Sequence, residues 1–238
     1  LVSGDHLTLC CEQTENAHCL VTTPGAGRVY KARQDKLLQR QTNHFIVGEG
    51  ASLEWLPQET ILYPNARTRL STLIELNHQS RYIGWEISCL GLPASEQVFE
   101  QGEINQRLEI RHLGQIKLRD KILINEKTID QLQQVAGFNQ FNVNGLMVAG
   151  PFVNHSANAS LDTLIEQLQP LCEQISPLNH KTEKLAAIAS ISLTGEFLLI
   201  RYLGSSSEQA KQLYIACWKK IRPLLLNRAA SIPRIWAT

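Results

Sequence analysis

Alternation of apolar and polar residues with a period of two is the feature that most constrains the fold of this chain. Segments 68–76 and 82–90 alternate most clearly, and segment 7–11 does so over a shorter length. The shared faces carry Leu70, Thr72, Ile74 and Leu76 in segment 68–76, and Ile83, Trp85, Ile87 and Cys89 in segment 82–90. This period predicts half-buried β-strands, because successive side chains of a strand point to opposite faces of its sheet.

Helical spacing of apolar residues begins late in the chain. One apolar face extends from Leu161 to Ile175 behind Ser160, a favourable N-cap residue, and Pro170 is expected to kink or shorten this helix. A second apolar face extends from Glu208 to Leu226, where Ser205-x-x-Glu208 fits a capping box. We therefore predict two main helices in the last third of the chain.

Hairpins and turns account for much of the remaining sequence. Two hairpins are predicted, one formed by 107–112 with 115–124 and one by 185–193 with 196–203 around Thr194-Gly195. Turns are predicted at Pro24-Gly25, Pro64-Asn65 and Pro93, and segment 126–136 allows a short third helix. The prediction is a mainly β protein with a few helices, of class α+β, in which residues 1–238 form a single domain.

Composition excludes several classes of function. Lys plus Arg is 23 and Asp plus Glu is 22, so the net charge of +1 gives no case for binding nucleic acid or an anionic membrane. No apolar run is long enough for a transmembrane helix. Six cysteines without a CxxC repeat favour a reduced, cytoplasmic protein. Because the sequence begins without Met, inside a predicted strand, we expect that an N-terminal segment precedes Leu1.

No enzyme signature is present in the sequence. It contains no GxSxG, HExxH, Walker A or GxGxxG motif, and Pro24-Gly25-Ala26-Gly27 lacks the lysine of a phosphate loop. Cys10, Cys11, His18 and Cys19 suggest a soft metal site, but adjacent strand residues point to opposite faces, so Cys10 and Cys11 do not easily share one ion. Buried small side chains and a surface histidine are the alternative.

Three acidic residues are the most informative polar positions. Asp120 lies on an otherwise apolar face of segment 115–124, where an ionised carboxylate is costly unless it is paired or solvated. It therefore either faces a wet internal cavity or pairs with an arginine of a neighbouring strand. Glu86 alone would be an ordinary solvated residue, and Asp5, after Gly4, could make an Asx turn. For Glu54 we expect solvation at a strand end.

Four blocks of sequence, in order along the chain, point to a particular family. They are Thr22-Thr23-Pro24-Gly25-Ala26-Gly27, Leu53-Glu54-Trp55-Leu56-Pro57-Gln58-Glu59, Gly84-Trp85-Glu86-Ile87-Ser88-Cys89-Leu90-Gly91 and Pro233-Arg234-Ile235-Trp236-Ala237-Thr238. Together they resemble the family of urease accessory proteins called UreD, or UreH in some bacteria. The resemblance extends over essentially the whole chain.

This resemblance implies a non-enzymatic protein that acts as a scaffold between apo-urease (UreABC) and the accessory proteins UreF and UreG. It also implies a mainly β fold and passage of nickel from UreG through UreF and UreD into the urease active site. No cofactor is expected to bind stably, Ni²⁺ being a transient cargo. Whether two copies assemble as a dimer through UreF stays open.

A path for a released ion requires weak, scattered ligands rather than a closed cage. We therefore predict that Asp5, Glu86 and Asp120 line an internal tunnel that conducts nickel. The alternative is a pure interaction module of the urease activation complex, with no direct role in nickel passage. Helix 208–226 and Trp236 are candidates for a docking surface for UreF, because an unpartnered chain of this kind is expected to expose an apolar face.

Overall fold

The computed structural model describes residues 1–92, 95, 97–152, 158–176 and 187–237. Its strands are β1 (His6–Glu12), β2 (His18–Val21), β3 (Gly27–Val29), β4 (Gln39–Val47), β5 (Ser52–Trp55), β6 (Thr60–Leu62), β7 (Arg67–Leu76), β8 (Arg81–Leu90), β9 (Glu103–His112), β10 (Gln115–Ile124), β11 (Val143–Gly150), β12 (Ala187–Thr194) and β13 (Phe197–Gly204). The helices are α1 (Asn158–Ile175) and α2 (Ser207–Leu226). The predicted mainly β class with two late helices is confirmed.

Two β-sheets pack face to face. The first, called here the open sheet, has the strand order β1-β4-β7-β9-β10. The second, called the helix-covered sheet, has the order β12-β13-β11-β8-β5-β2, with β6 pairing to β8 and β3 pairing to β6. Phe45, Ile74 and Leu108 of the open sheet meet Trp55 and Leu199 of the helix-covered sheet in one buried apolar cluster.

Over the first nine strands the chain passes repeatedly from one sheet to the other. β1, β4, β7 and β9 pair in parallel in the open sheet, and β2, β5 and β8 pair in parallel in the helix-covered sheet. Each circuit of the chain therefore contributes a strand to both sheets, and parallel pairing is achieved without crossover helices. The later strands pair antiparallel, and the hairpins β9–β10 and β12–β13 lie where the alternation predicts them.

The helices lie on the outer face of the helix-covered sheet. α2 contacts β8, β11 and β13, whereas α1 contacts β12 and α2. α2 packs closely against β11 at Gly145, where a Cβ atom would lie only 2.5 Å from the hydroxyl of Tyr214. Apolar side chains of the sheet and of both helices form the largest buried cluster, in which Trp85, Met147 and Trp218 are almost fully buried.

Several local predictions need correction. α2 is capped by Ser206, whose hydroxyl accepts from the Gln209 amide, and not by Ser205. α1 begins at Asn158, before Ser160, and continues past Pro170 because tertiary packing outweighs the lost hydrogen bond. In place of a helix over 126–136 there is a 3₁₀ turn at Ile129–Leu132. The predicted turn at Pro93 and residues 185–186 of the second hairpin lie outside the described residues.

Candidate functional site

Glu86 lies between the two sheets. Its neighbours along β8, Tyr82 and Ser88, share the inner face, while Trp85 and Ile87 point to the helices. The Thr72 hydroxyl donates to Glu86 Oε1 at 2.5 Å, and the Gln106 amide donates to Oε2 at 2.9 Å. The carboxylate is thus held from two strands of the opposite sheet.

A chain of polar groups extends from Glu86 in two directions. Asn43 Nδ2 donates to the Thr72 hydroxyl at 3.1 Å, and Ser88 donates to Gln106 Oε1 at 2.7 Å. These side chains cross the inner faces of β4, β7, β9 and β8, where apolar residues would ordinarily fill the space. A polar seam through a sandwich core is costly unless each group is paired or wet, and here they satisfy one another.

Two cavities meet at Glu86. The larger, of about 150 Å³, is lined by Asn43, Thr72, Glu86 and Gln106 and extends to the loop at Thr23–Gly27. The smaller, of about 10 Å³, lies on the other side of Glu86 and is also lined by Asp120 and Asn144. Glu86 and Gln106 line both, so the carboxylate occupies the junction between them. The larger cavity has room for a few water molecules at about 30 Å³ each.

The environment of Glu86 favours its protonated form. Burial raises the pKa of its carboxyl, the nearby charge of Asp120 raises it further, and the hydrogen bonds from Thr72 and Gln106 only partly oppose these effects. A nearby cation would oppose these effects, because an opposite charge favours the ionised form of a carboxyl group.

Asp120 pairs with an arginine of the opposite sheet. Arg201 Nη2 lies 2.8 Å from Asp120 Oδ1, and the two side chains are 47% and 22% exposed. The structure shows an arginine partner, as one of the two predicted alternatives required, but from the opposite sheet and not from a neighbouring strand. It also places Asp120 on the smaller cavity beside Glu86. Asp120 and Glu86 therefore line the same small cavity, and the arginine partner of Asp120 reaches solvent.

Asp5 lies apart from these two acids. It precedes β1, and its Oδ2 accepts the Val2 amide at 2.7 Å while its own amide donates to the Val2 carbonyl. Among the described residues that line the two cavities, Asp5 is not found. The structure therefore brings Glu86 and Asp120 together and assigns Asp5 to a local turn.

The cysteine and histidine candidates do not converge on one point. β1 and β2 belong to different sheets, so they form no hairpin, and Cys10 is exposed on the outer face of the open sheet. Cys11 and Cys19 approach each other between the sheets, and burial together with Cys11 raises the pKa of the Cys19 thiol. Within the described part of the chain, no group of three His, Cys, Asp or Glu side chains is arranged to hold a metal ion.

The prediction that Glu54 is solvated at a strand end is wrong. Glu54 is fully buried beneath α2, where Trp218 Nε1 donates to it at 2.5 Å and Arg222 Nε at 2.9 Å. His18 Nε2 lies 3.2 Å from the same carboxylate. An acid inside the apolar run Leu53-Glu54-Trp55-Leu56 was the available signal, because only a buried partner makes a charge tolerable at such a position.

The C-terminal tail and α2 pack within the molecule. Trp236 is 8% exposed, lies against the rings of Trp85 and Trp218, and donates to the Thr22 hydroxyl at 2.9 Å. The apolar side of α2 is buried against the sheet. Neither Trp236 nor the apolar side of α2 is a free docking surface, contrary to the prediction, because the core of the helix-covered sheet uses both.

Comparison with known proteins agrees with the four sequence blocks. A model of the UreD urease accessory protein family matches residues 1–237. The chain belongs to the UreD family. The urease accessory protein UreD of Marinomonas sp. (strain MWYL1) is 48% identical over 240 residues, which cover 100% of this chain and 74% of that protein. The UreD of Dechloromonas aromatica (strain RCB) is 38% identical over 245 residues, covering 100% and 77%.

Membership of the UreD family gives the chain an accessory role for urease. All four blocks coincide with structural features described above. The first block borders the larger cavity, the second contains Glu54, the third contains Glu86, and the fourth contains Trp236. No helix among the described residues is long and apolar enough to cross a membrane.

Proposed function

We propose that this chain is a non-enzymatic scaffold that binds apo-urease together with UreF and UreG in the cytoplasm. We propose further that nickel passes between its two sheets along Glu86 and Asp120 on the way to the urease active site. The observation that carries the second proposal is the position of Glu86, a carboxylate at the junction of two internal cavities.

The chemistry of the seam supports passage rather than storage. Its groups are carboxylate, hydroxyl and amide oxygens, which bind Ni²⁺ less tightly than a closed set of imidazoles or thiolates. Glu86 offers one carboxylate, and Asp120 offers a second after its ion pair with Arg201 opens. Asp5 does not belong to this path, because its carboxylate closes a turn before β1.

The pure interaction module is the second candidate, and one observation favours it. Glu86 accepts from Thr72 and Gln106, and Asp120 has Arg201, so both acids are satisfied without an ion. In that case the seam would be structural, and the chain would only hold apo-urease against its partners.

A complementation experiment separates the two candidates. A strain lacking the gene receives the wild-type gene, or a gene encoding Glu86→Gln with Asp120→Asn, and nickel per urease active site is measured together with recovery of the complex. We expect the double variant to bind its partners but to load nickel about tenfold less, the low end of the cost of altering a group near a metal. Glu173→Gln with Asp162→Asn, at two exposed carboxylates of α1, is the matched control.

Two results would contradict these proposals. Full nickel loading by the double variant would contradict the proposed nickel path along Glu86 and Asp120 but would be compatible with the scaffold role. A wild-type gene that restores neither the complex nor urease activity would remove the scaffold role as well.

A further inference from the structure

Among the residues that the structure describes, no helix packs on the outer face of the open sheet. The helices α1 and α2 lie on the other sheet, and the register of β1, β4, β7, β9 and β10 aligns one set of side chains on this face. Most of these side chains are exposed or half-buried. The face is therefore available to a partner.

Positive charge is concentrated there. Seven cationic side chains share the face with four carboxylates, a net of +3 in a chain whose total is +1. The cations are Arg40, Arg67, Arg69, Arg107, Arg111, Arg119 and Lys121, and the carboxylates are Glu12, Glu75, Glu103 and Glu109. This set of residues is called here the arginine face.

Glu109 organises the centre of the arginine face. Its carboxylate lies 2.7 Å from Arg111, 2.8 Å from Arg119 and 3.5 Å from Arg107, and its own side chain is 1% exposed. The three arginines are 37%, 49% and 45% exposed. One covered carboxylate thus holds three guanidinium groups in fixed positions at the surface, with a local charge of +2. Such pre-organised groups lose little side-chain entropy when they bind carboxylates.

Other cations of the arginine face have no competing partner. Arg40, Arg69 and Lys121 are exposed, and their charged groups make no hydrogen bond or ion pair with the described part of the chain. They are therefore free to pair with groups brought by another molecule.

We infer that the arginine face is a docking surface for the acidic, carboxylate-rich face of a protein of the urease activation complex. A sheet of five strands, spaced by about 4.8 Å and about 30 Å long, offers roughly 600 Å², close to one side of a standard protein interface. The four interspersed carboxylates disfavour a continuous phosphate backbone, and the chain pI of 7.8 is below that of nucleic-acid-binding domains. The choice of partners rests on the proposed scaffold function.

Charge reversal at three positions tests this inference. The variant Arg40→Glu, Arg69→Glu, Lys121→Glu leaves Glu109 and its arginines intact, and the matched control Lys211→Glu, Lys219→Glu, Lys220→Glu makes the same charge change on α2. Binding of the purified full chain to apo-urease, UreF and UreG is measured at low and high salt. We expect affinity for one of them to fall at least about tenfold in the face variant and to stay within about twofold in the control.

A milder variant protects the test against misfolding. Changing the same three residues to glutamine should weaken the same interaction by about threefold, and the wild-type affinity should fall as salt rises. Equal losses in the face variant and the α2 control would show an effect of total charge and overturn the inference. So would unchanged affinity for all three proteins, or tighter binding of a duplex DNA oligonucleotide that the face variant abolishes. A wild-type chain that binds none of the three proteins would overturn the scaffold function together with the inference.

Discussion

The two sheets share an apolar interface but differ on their outer faces. β8 of the helix-covered sheet is buried along nearly its whole length, because Trp85 and Ile87 face the helices while Tyr82 faces the other sheet. β9 of the open sheet buries Leu108 and directs Arg107 outward. An outer face that is apolar needs a helical cover, and one that is charged is left for water or for a partner. This difference separates the part of the molecule that is buried under helices from the part that we propose meets other molecules.

Each outer face contains one fully buried glutamate, and the two are buried for different reasons. Glu54 lies under α2 with Arg222, which is itself only 9% exposed, so both charges are removed from water. Glu109 is covered by arginines that reach solvent. Burial alone would raise the pKa of Glu109, but the hydrogen bonds from Arg111 and Arg119 and the charge of Arg107 lower it. Equal burial therefore does not mean equal structural importance.

Replacing Glu54 or Glu109 by alanine should give the largest difference between the two sheets in the free energy of unfolding. Glu54→Ala leaves Arg222 buried without its carboxylate, and we expect the free energy of unfolding to fall by about 3–5 kcal/mol. Glu109→Ala leaves arginines that can turn to solvent, and the expected loss is about 1 kcal/mol or less. Urea denaturation of both variants at neutral pH measures the difference. Similar losses would mean that the open sheet depends on its charged face as much as the other sheet depends on its core.

The tail should contribute the next largest effect. Trp236→Ala removes a ring that packs on Trp85 and Trp218, and we expect a loss of about 3 kcal/mol in the free energy of unfolding. Ile232→Ala, at a residue 47% exposed in the same tail, should cost less than about 0.5 kcal/mol and serves as the control. A thermal melt of the two variants is sufficient. A small effect at Trp236 would show that the helix-covered sheet is complete without the tail.

Period-two alternation predicted the strands because one face of each lies in the shared core. Segments 68–76 and 82–90 correspond to β7 and β8, and the hairpin around Thr194-Gly195 corresponds to β12 and β13. The repeated passage of the chain between the two sheets from β1 to β9 was not predictable, because it depends on which distant strands pair. The net charge of the chain likewise gave no indication of the arginine face, because the cations of four separate strands come together only through their register.

The candidate site was predictable in part. Asp120 on an apolar face signalled a buried or paired carboxylate, and the structure shows it paired with Arg201. Glu86 entered only through the sequence block that contains it, since nothing in its local pattern indicates that its face of β8 points into the sandwich. Glu54 was misplaced because its partners, Trp218 and Arg222, lie more than 160 residues away in sequence.

His18, in β2 of the helix-covered sheet, should make the free energy of unfolding depend on pH. Burial lowers the pKa of His18 below 6.5, Arg228 and Arg222 lower it further, and Glu54 only partly opposes them. The unfolded chain therefore takes up a proton at a higher pH than the folded one. This contribution to stability is complete above pH 6.5 and is lost as the pH falls through the folded value.

The measurement is the urea midpoint between about pH 7.5 and about pH 5.5. We expect it to decline on acidification in the wild type and to decline less in His18→Gln. The exposed His78 of the loop after β7 provides the control, because His78→Gln should keep the full decline. An unchanged slope in His18→Gln would assign the acid sensitivity to other groups.

Glu86 lies between the two sheets. It should change the free energy of unfolding with pH by a small amount, in the direction opposite to His18. Because its pKa is raised, its contribution to stability is present below pH 4.5 and is lost as the pH rises through the folded value. Glu86→Gln should therefore be slightly more stable than the wild type at neutral pH, with an advantage that grows with pH. The amide can be accommodated, since the Thr72 and Ser88 hydroxyls and the Gln106 amide can exchange donor and acceptor roles.

Denaturation of Glu86→Gln and of a control, Glu173→Gln at an exposed position of α1, at mildly acidic and at neutral pH measures this difference. If Glu86→Gln gains stability while nickel loading falls, the carboxylate is retained for its charge and not for the fold, as expected of a group that meets a passing cation. If the variant instead loses stability at every pH, its hydrogen bonds to β7 and β9 are what the molecule needs. The seam would then belong with Glu54 among the structural elements, and the arginine face would be left as the part of the open sheet proposed to act on another molecule.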